Sequence, residues 1–411
     1  MIGFCGSRFI LSRSVSTYIW SLGLREQRMP NIEIVPVTTG RQRKQFLSLP
    51  WKLYADDPHW IPPLRQNQKE LVGFSRHPFY SYARSQAFLA YRDGEPCGRV
   101  LVIINPAHNE RYDEQLGFFG FFESIDEQDV ANGLFDAAKA WLAEQDIHTL
   151  RGPCNPSLNY EVGSLIDGFD SSPRFMMTYN PAYHARLYEN WGLGKVQDLY
   201  AFWGHVDMLE SLDEKLAFIV QEATRRFDIK LRRMDTKRFD EDVRMFLDIY
   251  NKSLGGTWGF VPMSSGEVDH LAKSLKMLIA PEMTSVAEID VKPVGAVFAL
   301  LDYNSRIREM NGRLFPFGFL KLLVNKKSIK SIRLISANVL PEFQRWGVGL
   351  LLVSRLVPDV MSWGVQDCEF SWVLESNHLS RATLERGGAK LLKTYRIYEY
   401  PAPSAPEVGS S

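Results

Sequence analysis

The chain of 411 residues has no surplus of charge, with 48 Lys and Arg against 48 Asp and Glu. General nucleic-acid binders depend on excess cations to neutralise phosphates, so that class is disfavoured. No apolar run approaches the roughly 18 residues needed to span a bilayer, and no membrane span is expected. Cysteine is scarce. Cys5, Cys97, Cys154 and Cys368 lie far apart in the sequence, which leaves no CxxC pair, no metal-ligand cluster and no disulfide scaffold. Metal is not expected, and a reducing cytoplasm fits. What is present, 45% hydrophobic and 23% charged residues, is the balance of a folded protein rather than a disordered, collagenous or coiled-coil one. The length suggests two or three domains.

Both ends differ from the middle. Residues 1–28 carry Arg8, Arg13, Arg25 and Arg28 with a single acid, Glu26. They read as an extension: an over-called start with Met29 as the first residue, an Arg- and Ser-rich transit peptide, or a structural arm. Residues 402–411, rich in Pro and Ser, read as a flexible tail.

The middle resembles itself. Asp93-Gly-Glu-Pro-Cys-Gly-Arg-Val and Asp290-Val-Lys-Pro-Val-Gly-Ala-Val align at an offset of 197, each a tight turn before an apolar strand. Trp60-Ile-Pro-Pro63 pairs with Trp258-Gly-Phe-Val-Pro262, and Asn180, Glu189 and Gly192 pair with Asn377, Glu385 and Gly388. A period this long means two copies of a whole domain rather than a solenoid. The division falls at 29–205 and 206–401. In each copy helices and strands alternate, so each is mixed α/β. Among the clearer elements are helices at 127–145, 214–227, 266–280 and 347–363, and strands at 295–302, 332–340 and 369–374. Phe118, Phe119, Phe121 and Phe122 form a strand buried on both faces.

The sharpest motif is Val339-Leu-Pro-Glu-Phe-Gln344-Arg345-Trp346-Gly347-Val348-Gly349. It follows a predicted strand and opens a predicted helix. Two glycines at i and i+2 leave backbone N–H groups uncovered at a helix N-terminus, which makes an anion site suited to pyrophosphate. Arg345 adds a charged donor.

Gln344-x-x-Gly347-x-Gly349 resembles the coenzyme-A loop of the GNAT (GCN5-related N-acetyltransferase) superfamily. Trp372-Val-Leu-Glu-Ser-Asn377 and Ala382-Thr-Leu-Glu-Arg-Gly-Gly388 resemble that family's next strand, asparagine and helix. The likeness covers residues 230–400 and, through the repeat, 31–203 more weakly. It implies two tandem GNAT-like domains, each a mixed, mostly antiparallel sheet flanked by helices, with a splay between two parallel strands. Acyl-CoA would lie in the second splay. Backbone N–H groups near Val339 and Leu340 would polarise the thioester carbonyl. Residues 344–349, with Asn377, would hold the coenzyme.

The chain also departs from the family. Many members carry an acidic tyrosine shortly before the glycine that ends the last helix, where this chain has Leu384. Tyr395 and Tyr398 on the last strand are possible substitutes. Tyr188 stands at the family's position in the first copy, but there Phe122-Glu-Ser-Ile-Asp-Glu-Gln128 replaces the phosphate loop. It is shorter, acidic and without paired glycines. The first copy is therefore expected to be degenerate. Asp302, Glu309, Glu342 and Glu375 are candidate bases. Trp258 and Phe260 in one aromatic loop, and Asn159 and Glu161 in a long polar loop, are candidate substrate contacts. Trp51, Tyr54 and Trp60 make a second aromatic loop. His270 and His378 read as surface or capping residues.

The expected function is transfer of an acyl group, from acetyl-CoA or another acyl-CoA, to an amine of a small molecule or peptide by direct attack. Oligomerisation is possible. The aromatic loops alone suggest a longer acyl donor. The alternative is a non-catalytic CoA-binding or interaction protein built from two relic domains, which Leu384 favours.

Overall fold

A computed structural model describes residues 31–209, 220–222, 225 and 227–401. The extension before residue 29, the tail after 401 and most of the predicted helix at 214–227 lie outside the described residues.

The first half runs β1 (Ile32–Pro36), α1 (Gly40–Leu53), α2 (Arg65–Leu71), β2 (Arg84–Arg92), β3 (Glu95–Ile104), α3 (Pro106–Tyr112), β4 (Leu116–Ser124), α4 (Gln128–Ala143), β5 (Thr149–Gly152), β6 (Cys154–Asn155), β7 (Glu161–Val162), β8 (Ser164–Asp167), α5 (Tyr183–Trp191) and β9 (Gly194–His205). The second runs β10 (Lys230–Arg232), α6 (Phe239–Ser253), α7 (Ser265–Leu275), β11 (Thr284–Ile289), β12 (Lys292–Leu301), α8 (Asn304–Glu309), α9 (Gly318–Leu323), β13 (Ser331–Val339), α10 (Val348–Ser362), β14 (Asp367–Leu374), α11 (His378–Arg386) and β15 (Lys390–Tyr400). β3 and β12 keep the offset of 197. The offset rises to 215 at β4 and β13 because the second half inserts a stretch that includes α9 after α8, the counterpart of α3. It returns to 195 at α5 and α11 because β6 to β8 are inserted in the first.

Helices form where apolar side chains recur at helical spacing. α4 buries Val130, Ala131, Leu134, Phe135, Ala138 and Leu142, and α10 buries Val348, Leu351, Leu352, Leu356 and Val360. Capping boxes start α1 at Thr39 with Gln42 and α7 at Ser264 with Glu267. Every residue of β4 is buried. Phe118 and Phe121 join one core cluster and Phe119 and Phe122 another; residues three apart share a face because Phe121 at φ 50° and a register shift against β3 interrupt the strand's alternation.

Thirteen strands join one sheet, in the order β1-β2-β3-β4-β5-β15-β9-β14-β13-β12-β11-β10, with β8 also on β15. Among the described residues, only β4 with β5 and β13 with β14 run parallel. The sheet does not break at the 205/206 division. The last strand of each half crosses to the other: β9 pairs with β14, and β15 pairs with β5 and β8. β9 and β15 then pair with each other over most of their length. The loop from 168 to 178 is bolted to the second half. Arg174 bridges Asp302 at 3.1 Å and Asp367 at 2.6 Å, and Lys393 on β15, fully buried, donates to Ser171 O at 2.8 Å and to Gly168 O.

Candidate active site

β13 and β14 pair only from Ser331 with Asp367 to Leu334 with Phe370. Beyond these residues the two strands separate. On its other side β13 continues in antiparallel register with β12 as far as Val339 opposite Gly295. In an antiparallel ladder, opposed residues alternate between exchanging hydrogen bonds and pointing them outward. Leu340 N donates to Val294 O at 2.9 Å, so Val339 and Ala337 turn their N–H groups toward the open side. This corrects the sequence reading at one position. Leu340 N–H is consumed by the sheet, whereas Val339 N–H, and Ala337 N–H in addition, face the splay.

The loop that follows is a short 3-10 turn, Pro341–Trp346, closed by Gly347 at φ 75°. α10 then starts at Val348 with no side chain capping its N-terminus. Its first N–H groups therefore lack intrahelical partners and carry the positive end of the helix dipole. A Cβ at Gly349 would meet only Val339 Cγ2, at 3.8 Å. The protein's own packing does not demand glycine there, whereas an anion approaching the backbone would. The loop is pinned from below. Trp346 stacks on Phe227 with centroids 4.1 Å apart, Gln344 Nε2 donates to Val339 O at 3.2 Å, and Val348 is fully buried. Arg345 is exposed beside them. A pyrophosphate fits this cradle.

The first half has lost the equivalent space. Three residues separate β4 from α4, against eight between β13 and α10. β6 lies beside β4 where the second half is open. Phe121 N donates to Asn155 Oδ1 at 2.6 Å, and a Cβ on Gly120 would sit 1.9 Å from Cys154 O.

A cavity of about 430 Å³ lies between the halves. Trp60 to Leu64 from the first aromatic loop, Phe121, Phe122, Phe175, Met176, Met177 and Tyr188 line one side. Leu271, Leu275, Met277, Leu278, Ile307 and Leu314 line the other. Two carboxyls enter this apolar space. Glu123 accepts a hydrogen bond from Tyr54 Oη at 2.6 Å and lies 3.4 Å from Arg99 Nη2. Burial nevertheless holds its carboxyl up at about 7. Burial also lifts Glu161 to about 7, against the opposing pull of Asn155. Proton acceptors near neutrality are the kind that general base catalysis uses.

The cavity wall meets the splay at Phe175 and Met176. Their carbonyl oxygens accept from Arg333 Nη1 at 3.2 and 3.0 Å. Arg333 stands on the last paired stretch of β13, opposite Glu369 on β14. Here Glu369 Oε2, Trp372 Nε1 and Tyr395 Oη are buried without hydrogen-bond partners. Three orphaned polar atoms in one region are unusual in a folded interior.

The other sequence candidates separate. Tyr395 is fully buried and interacts electrostatically with Glu369 and Arg333, which puts it at the base of the splay. Tyr398 lies three residues on, in the first half's core, 5.3 Å from Tyr188, with its hydroxyl on Glu189 at 3.3 Å. Tyr188 is buried and lines the cavity. Leu384 packs on Phe202, Val373 and Ala389. Asn377 caps α11 by accepting from Ser380 N at 3.1 Å and is exposed. Asn159 ties the halves together through Val261 O at 2.7 Å. Trp258 packs on the first half under Arg151, and Tyr112 Oη donates to Phe260 O. None of these last three lines the large cavity. Asp302 is held by Arg174, Glu309 by Lys321 and Glu375 by Lys195, and Glu342 is exposed. His270 is no bare surface residue, since its ring lies 4.6 Å from buried His77. Glu123 escaped the sequence reading as a site residue. Its signal was a lone acid near the end of a wholly apolar strand.

No family model matches the chain. A tandem GNAT protein from the clavulanic acid biosynthesis pathway superposes with a TM-score of 0.54 at 12% identity, covering 91% of this chain and all of that one. The fold is thus a tandem GNAT fold. The bacterial ceramide synthase of Caulobacter vibrioides is 35% identical over 379 residues, 90% of this chain and 97% of that protein. Protein YghO of Escherichia coli is 34% identical over 362 residues, 87% of this chain and 92% of its own length. The chain belongs to the family of these two proteins.

Proposed function

We propose that the protein is an acyl-CoA-dependent N-acyltransferase that joins a long acyl chain to the amine of a lipid-like acceptor. The observation that carries this reading is the open splay. It begins at the Arg333 and Glu369 pair, ends at the uncapped start of α10, and backs onto an apolar cavity holding two carboxyls near neutral pKa. Acyl-CoA supplies an activated thioester. The backbone N–H groups of residues 347–349 and Arg345 hold its pyrophosphate, and the N–H groups of Val339 and Ala337 face its carbonyl. Glu161 takes a proton from the acceptor ammonium. The neutral amine then attacks the carbonyl carbon, the C–S bond breaks, the leaving sulfur gains a proton, and the nitrogen gives up one proton to become the amide, which replaces the proton the donor has lost. Tyr395, the buried hydroxyl without a partner, is the donor we favour.

The apolar lining supports a long acyl chain over acetyl. So does the relative's name, because a ceramide is the amide of a fatty acid and a long-chain amino alcohol. The experiment is thiol release from acetyl-CoA and palmitoyl-CoA, each offered with long-chain amino alcohols, polyamines and peptide amines. Acceptor-dependent release from palmitoyl-CoA with a long-chain amino alcohol is expected. Preference for acetyl-CoA would restore the shorter donor. Stabilisation by CoA without release for any acceptor would leave the non-catalytic reading, which Leu384 favours.

A further inference from the structure

The connection between β12 and β13, which contains the insertion with α9, has a composition unlike the rest of the chain. Residues 304–330 hold seven cations, Arg306, Arg308, Arg313, Lys321, Lys326, Lys327 and Lys330, against one acid, Glu309. In a chain of zero net charge, this segment alone carries 7 − 1 = +6. Among the described residues it also gathers several exposed apolar side chains. Phe315 is 75% exposed, Phe317 73% and Val324 63%, with Leu320 and neighbouring Met277 about half exposed. Other exposed apolar residues, such as Val291, Met361 and Leu379, are scattered singly along the chain, which is ordinary.

The exposure is built in. Arg306 pins α9 and the turn after it by donating to Lys321 O, Val324 O, Asn325 O and Ser328 Oγ at 2.5–3.0 Å. Leu322 is buried beneath, while Leu320 and Val324 face outward. Lys326 Nζ reaches Met277 O at 2.6 Å, joining the insertion to the end of α7. Met277 and Leu314 both touch this surface and line the large cavity.

We propose that this surface docks on an anionic phospholipid bilayer, with Phe315, Phe317 and Leu320 entering the headgroup and acyl boundary and the cations meeting lipid phosphates. Aromatic and aliphatic side chains ringed by Lys and Arg, on a segment too short to span, are the signature of interfacial binding. A protein partner would require an acidic face with an apolar centre, whereas a bilayer supplies both chemistries everywhere. The cavity then opens at the membrane face. This docking does not depend on the acyl-transfer reading and is measured without turnover.

The full chain is floated with vesicles of phosphatidylcholine alone and of phosphatidylcholine with phosphatidylglycerol. Capture by the anionic vesicles, weakened by salt, is expected. F315S/F317S and K321E/K327E should each bind about tenfold or more weakly with unchanged melting temperature, because none of these side chains is buried. Equal capture by neutral and anionic vesicles, no capture, or wild-type capture by both variants would overturn the proposal. So would a concentration-dependent dimer that F315S/F317S dissociates while vesicle binding is absent, because the surface would then belong to a second copy.

Discussion

Arg333 and Glu369 face each other across the parallel register of β13 and β14, both buried, yet no salt bridge joins them. Arg333 donates instead to Ser371 Oγ at 2.9 Å and to carbonyl oxygens of Ser371, Phe175 and Met176. The Glu369 carboxyl accepts only from Ser371 Oγ, at 2.7 Å. An ionisable residue from each of two separating strands thus marks where the splay begins, and two of the three carbonyls that satisfy Arg333, those of Phe175 and Met176, come from the other half of the molecule.

Gly349→Glu should fold normally, because a Cβ there meets nothing closer than 3.8 Å. It should weaken CoA binding about tenfold or more by setting a carboxylate against pyrophosphate, a loss of about 1.4 kcal/mol per factor of ten. Thermal shift with palmitoyl-CoA checks both. Gly347→Glu should lose binding as well, but with a lower melting temperature, because a side chain at φ 75° is strained. Full retained stabilisation of Gly349→Glu by palmitoyl-CoA would remove the loop from the site.

Glu161 links activity and stability to pH. Its carboxyl titrates at 4.5 ordinarily and at about 7 when folded. Between those values the unfolded chain has released a proton that the folded protein keeps, so stability falls as pH rises through that window. Glu161→Gln should therefore match the wild-type melting temperature near pH 4.5 and exceed it at pH 8. The same variant should lose about a hundredfold in kcat/KM and the ascending limb near pH 7. A higher melting temperature with an unchanged rate would make Glu161 a buried acid with no part in proton transfer.

Tyr54→Phe removes the 2.6 Å hydrogen bond to Glu123. A buried bond to a charged acceptor contributes about 1.5–3 kcal/mol, and urea unfolding should show a loss of that order. Because that hydroxyl favours the ionised carboxylate, the loss should be larger at pH 8 than at pH 5.

The exchange of β9 and β15 predicts that neither half is independent. A fragment ending at residue 209 leaves β5 without β15, and one beginning at residue 210 leaves β14 without β9. Expressed singly, each should aggregate, since an unpaired edge and the core beneath it are exposed. Expressed together, they should elute as one complex on size exclusion. A soluble, cooperatively melting first half would show that the exchange is dispensable.

Local chemistry determined much of this protein directly. Apolar periodicity set α4 and α10 to within about two residues of the sequence reading. The turn residues around Asp93 and Asp290 set the matching hairpins, and paired glycines after an apolar strand set an uncapped helix start. The loss of the first half's loop was legible as five missing residues. These features depend on residues close together in sequence, where backbone sterics and the alternation of side chains suffice. Tertiary structure alone decided the rest. A strand's sequence does not name its neighbour, so nothing in 194–205 or 390–400 announces that each completes the other half's sheet. Ladder parity, set by the register of β12 with β13, decided that Ala337 rather than Leu340 faces the splay. Burial, a property of the whole fold, turned Glu123 and Glu161 from ordinary acids into groups that titrate near neutrality.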